Sequence, residues 1–175
     1  MDRKKAIVAQ FIKSAYKISQ DKKISGRTSL EKLVCFSQLE RGLNTGFNFQ
    51  PNHYGLYDKE VINISEQLKK DNLIETEYIE APHPQWSFLA KEELLKFDTG
   101  LSEKEIKIIE NTIKEYWRKG NKDISTYCKQ LYVNKNKKRV DNEIREYRLK
   151  EDSKPLKELI TVKNAPEWWK NAPAK

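Results

Sequence analysis

The chain has 175 residues, 37% hydrophobic and 10% aromatic, enough to bury a core without cross-links and consistent with one domain or one plus a small appendage. No run approaches the ~20 apolar residues that span a bilayer, and the opening MDRKKAIVAQFIKSAYKISQ mixes charge into its apolar positions, unlike a signal peptide. These features point to a cytoplasmic protein with no membrane role. The formal net charge of +8 is uneven: residues 1–101 hold 15 Lys and Arg against 14 Asp and Glu, residues 102–175 hold 19 against 12, and residues 58–78 are themselves acidic.

The first periodic segment sets Ile7, Phe11, Ala15 and Ile18 on one helical face, with Lys4, Lys5, Lys13 and Lys17 on the other. It should end before DKKISGRTS, where Thr28 or Ser29 is expected to cap a second helix with support from Glu31. That helix carries Leu30, Leu33, Val34, Phe36 and Leu39, too broad an apolar surface for a solvated element, and should stop at Gly42. Glycine, proline and asparagine between Leu43 and Tyr57 predict irregular chain or a short strand around FNF. Asp58 then suits the N-cap of a third helix along Val61, Ile64 and Leu68, and Asn72 suits its left-handed end. LIETEYIE and QWSFLA alternate as two strands joined by the APHP turn.

Beyond the hairpin, Ser102 and Glu105 form a capping-box pattern before a stripe through Ile106, Ile109, Ile113 and Trp117 that ends at Gly120. Shorter helices are predicted through ISTYCKQLY and RVDNEIREYRL. The expected architecture is mainly α (α+β): a winged-helix-like core with a two-stranded hairpin over residues 1–100, a helical extension over 101–163, and a Pro/Trp tail over 164–175.

Local chemistry argues against an enzyme. His53 and His83 sit in no metal-binding spacing with Cys or a carboxylate, the glycines are scattered singly, and Cys35 and Cys128 read as small buried hydrophobes. No metal, cofactor or catalytic residue is therefore expected, an undetected pocket around either histidine being the remote alternative.

The stretch GRTSLEKLVCFSQLERGLNTGFNFQPNHYGLYDKEVINISEQLKKDNLIETE resembles the YwgA-like family of small prokaryotic proteins and, more distantly, is similar to the Panacea domain of SocA-type antitoxins. Gly26, Arg27, Leu30 and Lys32 match the family's helix start, Tyr54, Gly55 and Tyr57 its aromatic turn, and Leu73 with Ile74 the helix exit. Phe88, Leu89 and Ala90 stand where a post-hairpin helix begins. Leu56 replaces the family's proline and Asp58 its serine, which keeps the logic of a turn followed by a cap. The resemblance implies a regulatory or antitoxin-like protein acting on a protein partner (a toxin, or a defence or regulatory factor), on double-stranded DNA, or on both, with a homodimer compatible.

Three candidate sites follow from the residues. Lys135, Lys137, Lys138 and Arg139, with Arg145 and Arg148 beyond, could grip phosphates or an acidic protein, or form a solvated loop. Tyr54 and Tyr57 could stack on a partner, or could simply shape the turn into the third helix, the favoured reading. Trp168 and Trp169 could pack against the domain or anchor a partner. The third helix, neutral by count and followed by Glu75, Glu77 and Glu80, is expected to be a poor reader of a DNA groove.

Overall fold

The computed structural model describes residues 1–52, 55–80 and 85–135. The chain is mainly helical with a small three-stranded antiparallel sheet. Helix α1, Arg3–Ile18, starts on Asp2, whose carboxylate accepts the Lys5 N–H at 3.0 Å. Its middle, Ala6 to Ile12, is buried on every side, so α1 is the central rod of the domain; its lysines lie toward the two ends. Such a helix is apolar all round where neighbours cover it.

Strand β1, Lys23–Ser25, leads straight into α2, Arg27–Leu39. The residue before α2 is Gly26, at φ 96°, not Thr28 or Ser29. The reason is the strand: the Gly26 N–H donates to the Trp86 carbonyl at 2.7 Å, so the ladder of β1 continues to the first residue of the helix. A side chain at Gly26 would need a strained φ and would press on Ser29 Oγ. α2 is buried through most of its length, including Glu31 and Lys32, and ends at Leu39 rather than Gly42.

Residues 40–58 are more ordered than their composition suggests. Strands β2, Gln50–Asn52, and β3, Gly55–Tyr57, pair antiparallel, while Phe47, Phe49 and Leu56 enter the core. Helix α3, Lys59–Lys70, begins on Asp58. It closes with Asn72 at φ 60°, the Leu73 N–H donating to Leu68 O and the Asn72 N–H to Lys69 O, the paired bonds of a left-handed C-terminal cap.

Strands β4, Ile74–Ile79, and β5, Gln85–Ala90, form the predicted hairpin, and β1 adds to the free edge of β5, giving the sheet order β1-β5-β4. Ile24, Phe88 and Ile74 turn one face of this sheet into the core. Phe88, Leu89 and Ala90 are strand residues; the next helix, α4, Glu92–Lys96, starts two positions later. Helix α5, Glu103–Lys119, carries the full capping box and ends at Gly120, and α6, Asn121–Lys135, runs longer than its sequence pattern suggests.

Ile109, Ile113 and Tyr116 of α5 and Ile124, Cys128 and Tyr132 of α6 join Ile7, Phe11, Leu33 and Phe36 in one apolar cluster. The described part of the extension is thus packed into the same core as α1 and α2. The helix expected over RVDNEIREYRL and the Pro/Trp tail lie outside the described residues. Among the described residues no helix is long and apolar enough to cross a membrane.

Candidate functional site

The turn into α3 is gripped from two sides. Asp58 Oδ1 accepts the Glu60 N–H at 2.9 Å, as a helix cap does, and Oδ2 accepts the Asn48 N–H at 2.7 Å, tying the cap to the preceding loop. From beneath, Lys32 of α2 donates Nζ to the Leu56 carbonyl at 2.9 Å. Lys32 is only 1% exposed, and burial lowers its pKa.

Around Lys32 lies a buried polar cluster. Burial pushes the Glu31 carboxyl up to about 7 against the pull of Lys32, with Asp58 adding to the rise. Burial and the neighbouring Cys128 thiol raise Cys35 far above the ordinary thiol range, so Cys35 is a packing group rather than a nucleophile, and Cys128 is buried beside it. The Lys32 bond in this cluster ties β3 to α2 just ahead of α3.

On α3, Val61, Ile64, Ser65 and Leu68 face inward. The carboxylates on and beside the helix are all engaged by the protein itself. Glu60 pairs with Lys4 of α1, Asp71 with Lys5 of α1, Glu66 with Arg27 of α2 at 3.3 Å, and Asp58 is consumed as the cap. Left outward at helical spacing are Lys59, Asn63, Gln67 and Lys70, all exposed. Two cations and two carboxamides thus form the free stripe, with Glu66 beside it but held by Arg27.

The stripe continues onto the β4–β5 hairpin. The Trp86 ring lies 5.6 Å from the Arg27 guanidinium and 5.7 Å from Lys69 Nζ, and Tyr78 packs against it with ring centroids 5.1 Å apart. Tyr78 is 49% exposed, so the aromatic pair is open to a ligand at its outer edge. On the opposite face of the hairpin the acids are engaged as well: Lys23 donates to Glu77 at 3.0 Å, and Lys91 stands 3.9 Å from Glu75.

Of the residues singled out in the sequence, Tyr57 is exposed at the end of β3, and Lys135 closes α6 with its Nζ donating to the Leu39 carbonyl at the end of α2. Tyr54, His53, His83, Lys137, Lys138, Arg139, Arg145, Arg148, Trp168 and Trp169 lie outside the described residues. The α3 stripe and the Trp86 cluster are what the sequence reading passed over. The exposed spacing of Lys59, Asn63, Gln67 and Lys70 was present in the sequence, but the ion pairs that tie off the acids join residues 39 to 66 positions apart.

Among the described residues no group of three or more His, Cys, Asp or Glu is placed to hold a metal ion. Comparison of the chain with protein-family models, curated proteins and solved structures finds no match.

Proposed function

We propose that this chain is a cytoplasmic, non-enzymatic regulatory protein with a winged-helix-like core that binds double-stranded DNA through α3 and the β4–β5 hairpin. The order α1, β1, α2, α3, β4, β5 and the sheet order β1-β5-β4 support the winged-helix reading. It departs from the simplest version in one respect: residues 40–58 carry their own hairpin where a short turn would join the second and third helices.

The observation that carries the proposal is the fate of the acids around α3. Glu60, Glu66 and Asp71 are matched by Lys4, Arg27 and Lys5, which leaves Lys59, Asn63, Gln67 and Lys70 facing solvent. Lysines neutralise phosphates, and Asn or Gln can pair with the N6 and N7 edge of adenine in the major groove. Toward the turn end of the hairpin, Arg27 and Lys69 flank Trp86 where a backbone passing α3 would be met. The resemblance to antitoxin-like regulators points the same way.

Fluorescence anisotropy on a labelled duplex, read across a salt series, tests this. Binding should weaken steeply with salt, and Lys59→Ala with Lys70→Ala should lower the log–log slope by about two, roughly one per phosphate contact removed. A parallel variant with Lys135, Lys137, Lys138 and Arg139 changed to Ala separates the α3 face from the basic cluster. Absent or salt-independent binding at low ionic strength, or a slope lost only in the second variant, would reject α3 as the DNA-reading face.

A further inference from the structure

Helix α5 also presents cations outward, and more of them than α3. Its outward side carries Lys104, Lys107, Asn111, Lys114 and Arg118, all exposed and spaced by three and four residues, so they form a single stripe along the helix. From Lys107 to Lys114 the stripe rises about 10 Å along the axis. Among the described residues Lys104, Lys107 and Lys114 have no salt-bridge partner, whereas Glu115 beside them is claimed by Arg41, Lys119 and, at 3.8 Å, Arg118. Glu103 and Glu110 border the stripe, each four residues before a lysine, Lys107 and Lys114, and among the described residues neither forms a salt bridge with it.

The stripe leads to a groove. Where the C-terminal ends of α1 and α5 meet, an open depression of about 440 Å³ is lined by Ile18, Ser19, Gln20, Asp21, Lys114 and Trp117. Trp117 is 41% exposed, and Lys114 belongs both to the groove and to the cationic stripe. Lysines with no salt-bridge partner among the described residues thus run into a recess that has Ile18 and Trp117 as its apolar walls.

We propose that this face docks an acidic segment of a protein partner that carries one bulky apolar side chain. Carboxylates of the segment lie along Lys104, Lys107 and Lys114, and the apolar side chain enters between Ile18 and Trp117. Charge complementarity selects the acid, and the groove selects a protein over duplex DNA, whose bases are held in the stack and whose phosphate backbone offers no apolar group to fill it. Asp21 on the groove wall repels a carboxylate placed there, which fixes the apolar residue at that end of the segment.

The test uses the full chain and a fluorescein-labelled pentaglutamate peptide ending in phenylalanine, with pentaglutamate alone and a labelled DNA duplex as comparisons. The Phe-ended peptide should bind saturably at low salt. Its affinity should fall about tenfold in the Lys107→Ala/Lys114→Ala variant and by a similar factor in Trp117→Ala. Lys59→Ala/Lys70→Ala should leave it unchanged, so this surface can fail while the α3 reading stands, and the reverse. All these side chains are exposed, and an unaltered urea midpoint verifies that the variants fold. The proposal is overturned by no peptide binding, by binding indifferent to both α5 variants, by equal binding without the phenylalanine, or by duplex binding that alone depends on Lys107 and Lys114.

Discussion

Helices α3 and α5 both lie against α1 and both bury one apolar stripe, yet they are specified in opposite ways. α5 is defined by its own sequence: a capping box at Ser102 and Glu105, Ile109, Ile113 and Tyr116 inward, and Gly120 at the end. α3 has its own caps as well, but its place and its surface charge are set by residues far away in the chain. Lys32 and Asn48 fix the turn that enters it, and Lys4, Lys5 and Arg27 cancel its acids. A helix whose surface is assembled from other elements can present a charge pattern that its own residues do not display.

The largest break in this comparison comes from Lys32. Lys32→Ala removes a buried stem and leaves the Leu56 carbonyl without its donor, which should cost about 3 kcal/mol in urea unfolding. Lys32→Met keeps the volume and loses only the hydrogen bond, so it should cost about half as much. A loss under about 0.5 kcal/mol for Lys32→Ala would mean that the turn into α3 stands without its brace.

Next in size is a pH effect from the same cluster. Glu31 is raised from 4.5 to about 7 in the folded chain. A raised carboxyl contributes stability that is fully present below its unfolded value and is lost as pH climbs through the folded one, so the window runs from about 4.5 to about 7. Urea midpoints should therefore fall across that window by an amount on the order of 2–3 kcal/mol, and Glu31→Gln should flatten the decline. An unchanged slope in the Gln variant would assign the decline to other groups.

Arg27 tests the charge matching directly. Arg27→Ala should free Glu66 on the α3 stripe and strip one cation from Trp86, weakening duplex binding by about 1 kcal/mol. Adding Glu66→Gln should restore part of the loss. If the double variant binds no better than Arg27→Ala alone, Glu66 is not the group that Arg27 was masking.

Much of the fold was legible in the sequence because local rules wrote it: the N-cap at Asp58, the left-handed Asn72, the alternating β4–β5 hairpin and the capping box of α5. Two elements were not. β1 is three residues long and becomes a strand only because the edge of β5 is there to pair with it, and the same pairing draws Gly26 into the ladder and displaces the expected caps at Thr28 and Ser29. Residues 43–57 read as irregular chain or a short strand around FNF, yet the strands form at Gln50–Asn52 and Gly55–Tyr57, and Phe47, Phe49 and Leu56 fill the common core. The candidate site was illegible for the same reason. A count of charges along α3 makes it neutral, while the partners that claim its carboxylates stand on α1 and α2.

The smallest effect lies at the start of α5, where the local and the distant meet. The Ser102 N–H donates to the Glu105 carboxylate at 2.9 Å, the Glu105 N–H donates back to Ser102 Oγ at 3.4 Å, and Arg3 of α1 donates to the same carboxylate at 2.6 Å. The Arg3 bond, followed by those from Ser102, holds the Glu105 carboxyl down at about 2. Ser102→Ala should cost about 1 kcal/mol, the usual value of a lost cap. Because a depressed carboxyl gives stability that is present above its unfolded value and lost as pH falls through the folded one, the contribution of Glu105 disappears between about 4.5 and about 2. In that window Glu105→Gln should lose less stability on acidification than the parent chain, whereas Ser102→Ala, which keeps Arg3, should retain most of the acid dependence. If Ser102→Ala removes it entirely, the capping box and not the tie to α1 governs the proton, and α5 is as self-contained as its sequence suggests.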